Sequence, residues 1–471
     1  MQGLSQLSDA KRILFDRYAR GRVSSAPKIG RRPQESPAPL SLVQEQLYSR
    51  DLELAGDPPL YNECVTIRML GPLDPDVLER SFNEIIRRHE AWRTSFETKA
   101  GQPVQIVHAH RPMQFSRIDL RGLGETEREA EAVRLVSEDV RRPFQLNKGP
   151  LLRPILVRMS DEDHRLFLVI HQIVVDGRSA YQIYPSELAA HYKAFLAGQP
   201  SPLPELKLQC ADLAWWQREC LKEEEATQVN YWREQLGSNL PVSGWPTEKP
   251  NSIAQSFDGR IHPFAFSPQL SATIRDVSRR LNSTLFLVLL TGLATVIHRY
   301  EKPRYARHRD EKDGDVVLGT LSPSGRKQSE VMDLLGYFLN PVALRLNCGS
   351  PTTFSELLRH ARSVLLDAMS NDDVPIEHLA RALEGQEGSG PSPFFNVAIS
   401  LQPPTPHFGL AWSVTSMDVD SGGSPWPLYL AFIDRPDGII GRAQFNPGLF
   451  EIGTVKRVLQ DLQGIFETIC L

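Results

Sequence analysis

The sequence lacks any uninterrupted hydrophobic run long enough to cross a bilayer. Its longest apolar stretch, from Leu285 to Ile297, is broken by Thr291, Gly292 and Thr295, and it falls short of the roughly 20 residues that a membrane-spanning helix requires. No basic segment followed by an apolar one stands near the N-terminus, so nothing indicates secretion. We therefore expect a cytoplasmic protein that does not insert into membranes, with this stretch forming a buried helix.

Cysteine and surplus charge are also scarce. The 471 residues include five cysteines, at positions 64, 210, 220, 348 and 470, in no spacing typical of a metal site. We expect structural thiols in a reducing compartment and no bound metal. The net charge of −4 argues against a nucleic-acid partner. Hydrophobic residues make up 41% of the chain, which is ample for the cores of two or three ordinary domains.

The pattern along the chain predicts three parts. Residues 1–39 contain a short helical pattern within 8–20 and then a linker with four prolines. Residues 40–225 alternate strand-like and helix-like segments, and residues 226–471 do so again over a similar length. We therefore predict an α/β fold made of two comparable halves, divided at a polar stretch near residue 225.

Several elements are predicted with definite limits. In the first half, a helix begins at Asp74-Pro75, strands cover 151–157 and 166–170, and a helix with Pro185 as a kink or in its first turn covers 179–197. In the second half, the predicted helices are 270–280, 283–299, 354–370 and 452–469, and the predicted strands are 316–318, 342–346, 395–401, 428–433 and 439–445. The charged stretch 301–315 is interpreted as a solvated loop or as a docking site for another protein.

The segment from Leu168 to Gly177 carries the strongest chemical signal. An apolar run ends at His171, and an acid and a glycine follow at Asp176 and Gly177. A histidine at the end of a buried strand can act as a general base, although a lone histidine in this position is more often structural. Asp176 requires a cation if it is buried, and Gly177 allows a φ angle that other residues avoid.

Further motifs follow one another in an order that makes the segment more specific. They are Ser41-Leu-Val-Gln-Glu-Gln-Leu-Tyr48, Arg88-His-Glu-Ala-Trp-Arg-Thr-Ser-Phe96, Asp212-Leu-Ala-Trp-Trp-Gln217, Gly325-Arg326, Gly336-Tyr-Phe-Leu-Asn340 and Asp373-Val-Pro-Ile-Glu377. Together with the His-Gln-x-x-x-Asp-Gly segment, they resemble the condensation domains of nonribosomal peptide synthetases. These domains belong to the acyltransferase superfamily that includes chloramphenicol acetyltransferase, and the resemblance extends from about residue 40 to the C-terminus.

The resemblance implies a fold and an activity. The fold is a V-shaped pseudodimer of two chloramphenicol-acetyltransferase-like halves with a central tunnel. The activity is formation of an amide bond between an acyl or peptidyl thioester and an amine acceptor, in natural-product biosynthesis. Partner carrier proteins would supply both substrates on phosphopantetheine arms, and the chain itself would hold no covalent cofactor.

The resemblance also implies roles for individual residues. Gln172 stands at the position of the usual catalytic histidine, and His171 corresponds to the first, mainly structural, histidine of the signature. Asp176, Gly177, Arg93 and Arg326 are expected to form the scaffold of the site, with Arg326 or Arg93 as the cation for Asp176. Gly336 and Asn340 are expected on the acceptor side of the tunnel.

The chain departs from the family pattern at the position that matters most. Glutamine does not titrate near neutrality, so Gln172 cannot be a general base, although it can orient an amine through a hydrogen bond. Asn371-Asp372 replace a His-Gln pair, Pro341 replaces a common threonine, and Trp426-Pro427 replace a Lys/Phe-Asp pair.

Two hypotheses therefore remain open. In the first, the chain is a condensation enzyme whose catalysis is weakened by the loss of the histidine. In the second, it is an inactive platform of the condensation type, which recruits a tailoring enzyme such as a hydroxylase or oxygenase to carrier-bound amino acids. The otherwise intact residues around Asp176 favour the first hypothesis, and Gln172 with the altered later motifs favours the second.

Overall fold

The computed structural model describes residues 28–33, 38–54, 58–237, 257–305, 314–349, 353–383, 394–415 and 419–469. The helix predicted within residues 8–20 lies outside these ranges. So do most of the proline-rich linker and most of the charged stretch 301–315.

The strands of the described residues form three sheets. In chain order they are β1 (Ala38–Pro39), β2 (Asn62–Leu70), β3 (Thr94–Lys99), β4 (Gln102–Val107), β5 (Ser116–Asp119), β6 (Leu152–Arg158), β7 (Asp163–His171), β8 (Arg260–Ala265), β9 (Asp315–Ser322), β10 (Asn340–Asn347), β11 (Val397–Gln402), β12 (Trp412–Thr415), β13 (Leu428–Arg435) and β14 (Gly438–Phe445). A small sheet has the order β1-β4-β3, and each of the other two sheets organises one half of the molecule.

The sheet of the first half has the order β12-β2-β7-β6-β5. Its central strand β7 pairs antiparallel with β2 and β6, and the register places Asn62 opposite His171 and Glu63 opposite Ile170. The residues from Leu166 to Ile170 are all buried, as expected for a strand that is covered on both faces. The end of β7 is therefore fixed from both sides, and the chemical segment begins there.

The sheet of the second half has the order β10-β9-β11-β13-β14-β8. Strand β11 runs parallel to β9 and to β13, whereas the remaining pairs are antiparallel. The helices Pro268–Arg280, Leu285–Tyr305 and Ile452–Ile469 share a hydrophobic core with this sheet. Leu285 to Ile297 is thus part of a core helix, as predicted.

The predicted helices are confirmed where they are described. They correspond to the helices Pro75–Arg88, Tyr184–Leu196, Pro268–Arg280, Leu285–Tyr305, Phe354–Met369 and Ile452–Ile469. The first begins as expected, because the Asp74 carboxylate accepts the backbone N–H groups of Asp76 and Val77 at 2.9 and 3.1 Å. The second is preceded by a single π-helical turn, Ser179–Ile183, and carries Pro185 in its own first turn.

The division predicted near residue 225 is not a break in the structure. Residue 225 lies inside a continuous helix, Cys210–Leu236, whose first turns join the core of the first half and whose last turns join the core of the second. Strand β12 also comes from the later part of the chain but pairs with β2 in the first sheet. The two halves are therefore tied together by a shared helix and a crossing strand.

No single helix among the described residues has the length and apolar composition needed to cross a membrane. The segments Pro268–Arg280 and Leu285–Tyr300 meet the criterion only when taken together, and the break between them is bent by 105°.

Candidate functional site

The chemical segment leaves β7 through a short 3₁₀ turn. This turn, Gln172–Val174, is anchored on both sides: the Gln172 N–H donates to the Tyr61 carbonyl at 2.7 Å, and the Gln44 side-chain amide donates to the Ile173 carbonyl at 3.1 Å. The buried Gln44, from the first of the ordered motifs, therefore supports the loop from below.

His171 faces the interior of the first half. Its Nδ1 accepts the Ile173 N–H at 3.2 Å, its Nε2 lies 3.3 Å from an Asp51 carboxylate oxygen, and Tyr61 and Phe144 contact the ring edge to face. Because Nδ1 is an acceptor, Nε2 carries the proton and donates it to Asp51. Both ring nitrogens are thus committed to holding the turn, and the side chain is only 1% exposed.

Gln172 instead lines a cavity of about 670 Å³ between the two halves. The first half contributes Glu63 and Tyr181 among others, and the second contributes Trp426 and Arg442. A volume of this size is typical of a pocket for a substantial organic ligand. Of the two residues at the end of β7, therefore, only Gln172 is placed to meet a bound molecule.

Asp176 forms a bidentate ion pair with Arg326 of the second half. Arg326 Nε and Nη2 donate to the two Asp176 oxygens at 2.9 and 3.0 Å, and the Ser179 N–H donates to the same carboxylate at 2.8 Å. The Asp176 side chain is 0% exposed and that of Arg326 3%. Arg326 also stacks over the Phe338 ring, 4.1 Å from its centre. The pair therefore fastens the loop to the second half.

Arg93 does not belong to this group. Its guanidinium donates to the His108 carbonyl at 2.5 Å and lies 3.5 Å from Glu90. It is held there because it ends the short 3₁₀ helix Glu90–Arg93, which leads into β3. Of the two cations that the sequence offered for Asp176, the structure pairs it with Arg326.

The expected reason for a glycine at position 177 is wrong. The φ of Gly177 is not in the left-handed region. A Cβ at this position would instead lie 2.6 Å from the Gln402 side-chain oxygen, at the end of β11. Glycine is thus required by the close approach of the second half rather than by backbone strain.

Gly336 and Asn340 support the cavity from behind and are not part of its lining. A Cβ on Gly336 would lie 2.5 Å from the Cys210 sulfur, and the Gly336 backbone exchanges hydrogen bonds of 3.1 Å with the Ser179 hydroxyl. Asn340 donates to the carbonyls of Asp372 and Val374 at 2.8 and 2.9 Å. Their neighbours Tyr337, Leu339 and Pro341 contact the cavity instead.

Two ion pairs in the cavity wall were not anticipated from the sequence. Lys327 lies 2.6 Å from an Asp372 oxygen, and Ser322 donates to the other oxygen of that carboxylate. Arg442 reaches from β14 to the Glu63 carboxylate on β2, with a shortest distance of 3.2 Å. The only available signal for the first pair was the departure at Asp372, and no signal indicated the second.

The Arg88-His89 motif forms a buried charge cluster away from the cavity. Arg88 pairs with Glu187 through two contacts of 3.1 and 3.3 Å, and His89 Nε2 lies 3.1 Å from the same carboxylate. His89 Nδ1 accepts the Leu335 N–H at 3.2 Å. His191 lies 4.0 Å from Glu187, too far for a hydrogen bond. The cluster thus anchors the segment before Tyr337 to the first half.

We expect the stability contributed by Glu187 to be lost on acidification. Burial raises the pKa of Glu187, but His89 and Arg88 outweigh burial and lower the pKa from 4.5 to about 2. The contribution is therefore fully present above pH 4.5 and is lost as the pH falls towards 2. The shift corresponds to about 3 kcal/mol. Urea unfolding at pH 7 and pH 3.5 should show a smaller stability gap between the wild type and Glu187→Gln at the lower pH; a constant gap would contradict this.

A family model described as "Condensation domain" matches residues 34–470 of the chain. Among curated proteins, the chain is 35% identical to a linear gramicidin synthase of Brevibacillus parabrevis over 94% of its own length and 9% of the synthase. It is 31% identical to phosphinothricin tripeptide synthetase PhsC of Streptomyces viridochromogenes, over 97% of the chain and 41% of PhsC. The chain thus spans only a part of the curated relatives that it matches.

The fold is also similar to solved structures. The X-domain from teicoplanin biosynthesis has a TM-score of 0.76 at 22% identity, covering 94% of this chain and 97% of that one. The first condensation domain of the calcium-dependent antibiotic synthetase, in complex with a substrate analogue, has a TM-score of 0.77 at 17% identity, with coverage of 93% and 97%. Likenesses at this identity establish a common two-lobed α/β fold.

Proposed function

The chain belongs to the condensation-domain family of nonribosomal peptide synthetases, and on this basis we propose that it joins a carrier-bound acyl or peptidyl thioester to an amine acceptor. The observation that carries the proposal is the cavity between the halves, with Gln172 in its wall and the Asp176–Arg326 pair behind it. Partner carrier proteins would deliver both substrates on phosphopantetheine arms.

The energetics are compatible with catalysis without a histidine. Holding two reactants together contributes roughly 7–11 kcal/mol of a barrier, whereas general base catalysis is worth about 10²–10⁴-fold, or roughly 3–5 kcal/mol. A thioester is already activated and a neutral amine is already a nucleophile. The cavity can therefore provide the larger contribution through positioning, with Gln172 as a hydrogen-bonding group for the acceptor.

The roles that we assign to the surrounding residues follow from their contacts. His171 and Gln44 hold the 3₁₀ turn so that Gln172 keeps its position at the wall. Asp176 and Arg326 join the loop to the second half, and Gly177 leaves room for Gln402. None of these residues has to change its protonation state during the reaction.

Turnover of loaded carrier proteins tests the proposal. A donor carrier with an acyl thioester and an acceptor carrier with an aminoacyl thioester are incubated with the chain, and the condensed product on the acceptor carrier is measured by mass spectrometry. We expect product above the background of the two carriers alone. The matched control is the same donor with a des-amino acceptor, which cannot form an amide. Product at the background rate with several acyl and aminoacyl groups would contradict the proposal.

A platform that recruits a tailoring enzyme is the second candidate function. The observation that favours it is Gln172, since a chain without the usual base needs no turnover to be useful. The X-domain from teicoplanin biosynthesis, whose fold is similar, has been solved in a complex with OxyB. Co-elution of this chain with an oxygenase or hydroxylase of its own pathway, together with absent turnover, would favour the platform. Binding to carrier proteins alone would contradict it.

A further inference from the structure

We infer that Glu63 binds the acceptor amine and takes up a proton from it, at the cavity wall beside Gln172. The inference rests on the proposed function, because it assigns a site to the amine that this function requires. Its evidence is the strand register, the exposure of the carboxylate and its few partners.

The register of β2 and β7 places Glu63 next to Gln172. Glu63 lies opposite Ile170, two residues before Gln172, and Tyr61 receives the Gln172 N–H at 2.7 Å. Diagonal neighbours of this kind lie on the same face of a sheet, with Cα atoms about 7–8 Å apart. Both side chains line the same cavity. A small polar group between them can therefore contact both.

The Glu63 carboxylate has capacity for a ligand. Arg442 approaches its two oxygens at 3.2 and 3.5 Å through a single nitrogen, and within the described ranges this is its one side-chain hydrogen-bond partner. The side chain is 31% exposed. An ionised carboxylate offers about four acceptor positions, so most of them face the cavity. An ammonium group, with three donors and a positive charge, complements this arrangement.

The other carboxylates of the cavity are more fully occupied or lie elsewhere. Asp176 is bound by Arg326, Asp372 by Lys327 and Ser322, and Asp434 by Arg275 at 2.6 Å. Glu377 has one long contact, to Arg50 at 3.4 Å, and burial raises its pKa. It belongs to the helix Ile376–Ala382 of the second half, whereas Glu63 is on the strand paired with β7. Glu377 therefore provides the matched comparison.

The proton balance gives Glu63 a defined task. An aminoacyl acceptor is largely an ammonium ion at neutral pH, and the ammonium ion must lose a proton before its nitrogen can attack. Glu63 accepts that proton. The nitrogen then forms a bond to the thioester carbon, the C–S bond breaks, and the thiolate takes up the second proton lost by the nitrogen. The products are an amide and a thiol, and Glu63 releases its proton to solvent.

Equilibrium binding tests the inference without requiring turnover. The probes are alanyl-pantetheine amide and its des-amino analogue, propionyl-pantetheine amide, whose binding to the full chain is followed by NMR titration at pH 7. We expect the wild type to bind the amine probe at least about tenfold more tightly, since a charge-assisted hydrogen bond is worth about 1.5–3 kcal/mol. Glu63→Gln should abolish the preference without changing propionyl binding, and Glu63→Asp should restore part of it.

Two variants serve as comparisons. Glu377→Gln removes a carboxylate from the same cavity, and Arg442→Gln removes the partner of Glu63 but leaves its charge. Both should keep the preference for the amine. The inference is overturned if the wild type shows no preference, if Glu63→Gln retains it, or if Glu377→Gln loses it.

The binding and turnover assays separate this inference from the proposed function. A preference that depends on Glu63 in a chain that gives no product would support the amine site and contradict catalysis. Product formation with the same amine preference in Glu63→Gln as in the wild type would support catalysis and contradict the amine site.

Discussion

Replacing Gln172 by histidine is expected to accelerate acyl transfer to an alcohol acceptor by a factor of about 10²–10⁴. The side chain at this position lines the cavity, its backbone is fixed by the Tyr61 carbonyl, and His171 and Gln44 hold the turn beneath it. An imidazole would therefore meet the acceptor in a loop that is already formed. An alcohol requires a base more than an amine does, so amide formation should gain less than ester formation.

The comparison of acceptors is the informative part of this experiment. Initial rates are measured for Gln172→His, Gln172→Ala and the wild type, with a matched pair of amine and alcohol acceptors. If Gln172 orients the acceptor, alanine should be slower than glutamine with the amine. Equal rates for all three chains with both acceptors would mean that residue 172 does not contact the reacting groups.

Loss of Arg326 is expected to have the largest effect on stability. Arg326→Met leaves Asp176 buried without its cation, and breaking a buried pair in this way costs about 3–5 kcal/mol. Arg326 also donates to the carbonyls of Val331 and Leu334, at 3.0 and 2.9 Å, so the segment before Tyr337 loses its support as well. Urea unfolding should show a clearly lower midpoint.

The double variant and a surface variant define the cause. Asp176→Asn with Arg326→Met removes both charges, and it should recover a substantial part of the loss. Arg134→Met breaks contacts with Glu131 and Glu138 on an exposed helix face and should leave the midpoint unchanged. A loss for Arg326→Met no greater than that for Arg134→Met would contradict the buried pair as the fastening between loop and second half.

Local sequence signals were sufficient for the elements that carry the site. The apolar run into His171 predicted a buried strand, and Asp74-Pro75 predicted a helix start, because both signals depend on neighbouring residues alone. The need of Asp176 for a cation followed from its charge. The choice between Arg93 and Arg326 depended on the approach of the second half, which no local pattern contains.

The features that were missed share this long-range origin. Gly177 is explained by Gln402, more than 200 residues later in the chain. The Glu63–Arg442 pair joins strands at opposite ends of the sequence. The polar stretch near residue 225 resembled a linker, but it is helical because the turns on either side of it are held by two different cores.

The crossing strand β12 limits how this domain can be recombined with its relatives. A chimaera cut at residue 225 would divide a helix and would also give the first sheet a foreign edge strand, since β12 pairs with β2 through residues 412–415. The partner of Arg326 would then come from one parent and its loop from the other. An exchange that respects the fold has to move β12 with the first half and place its junctions in the connections on either side of that strand.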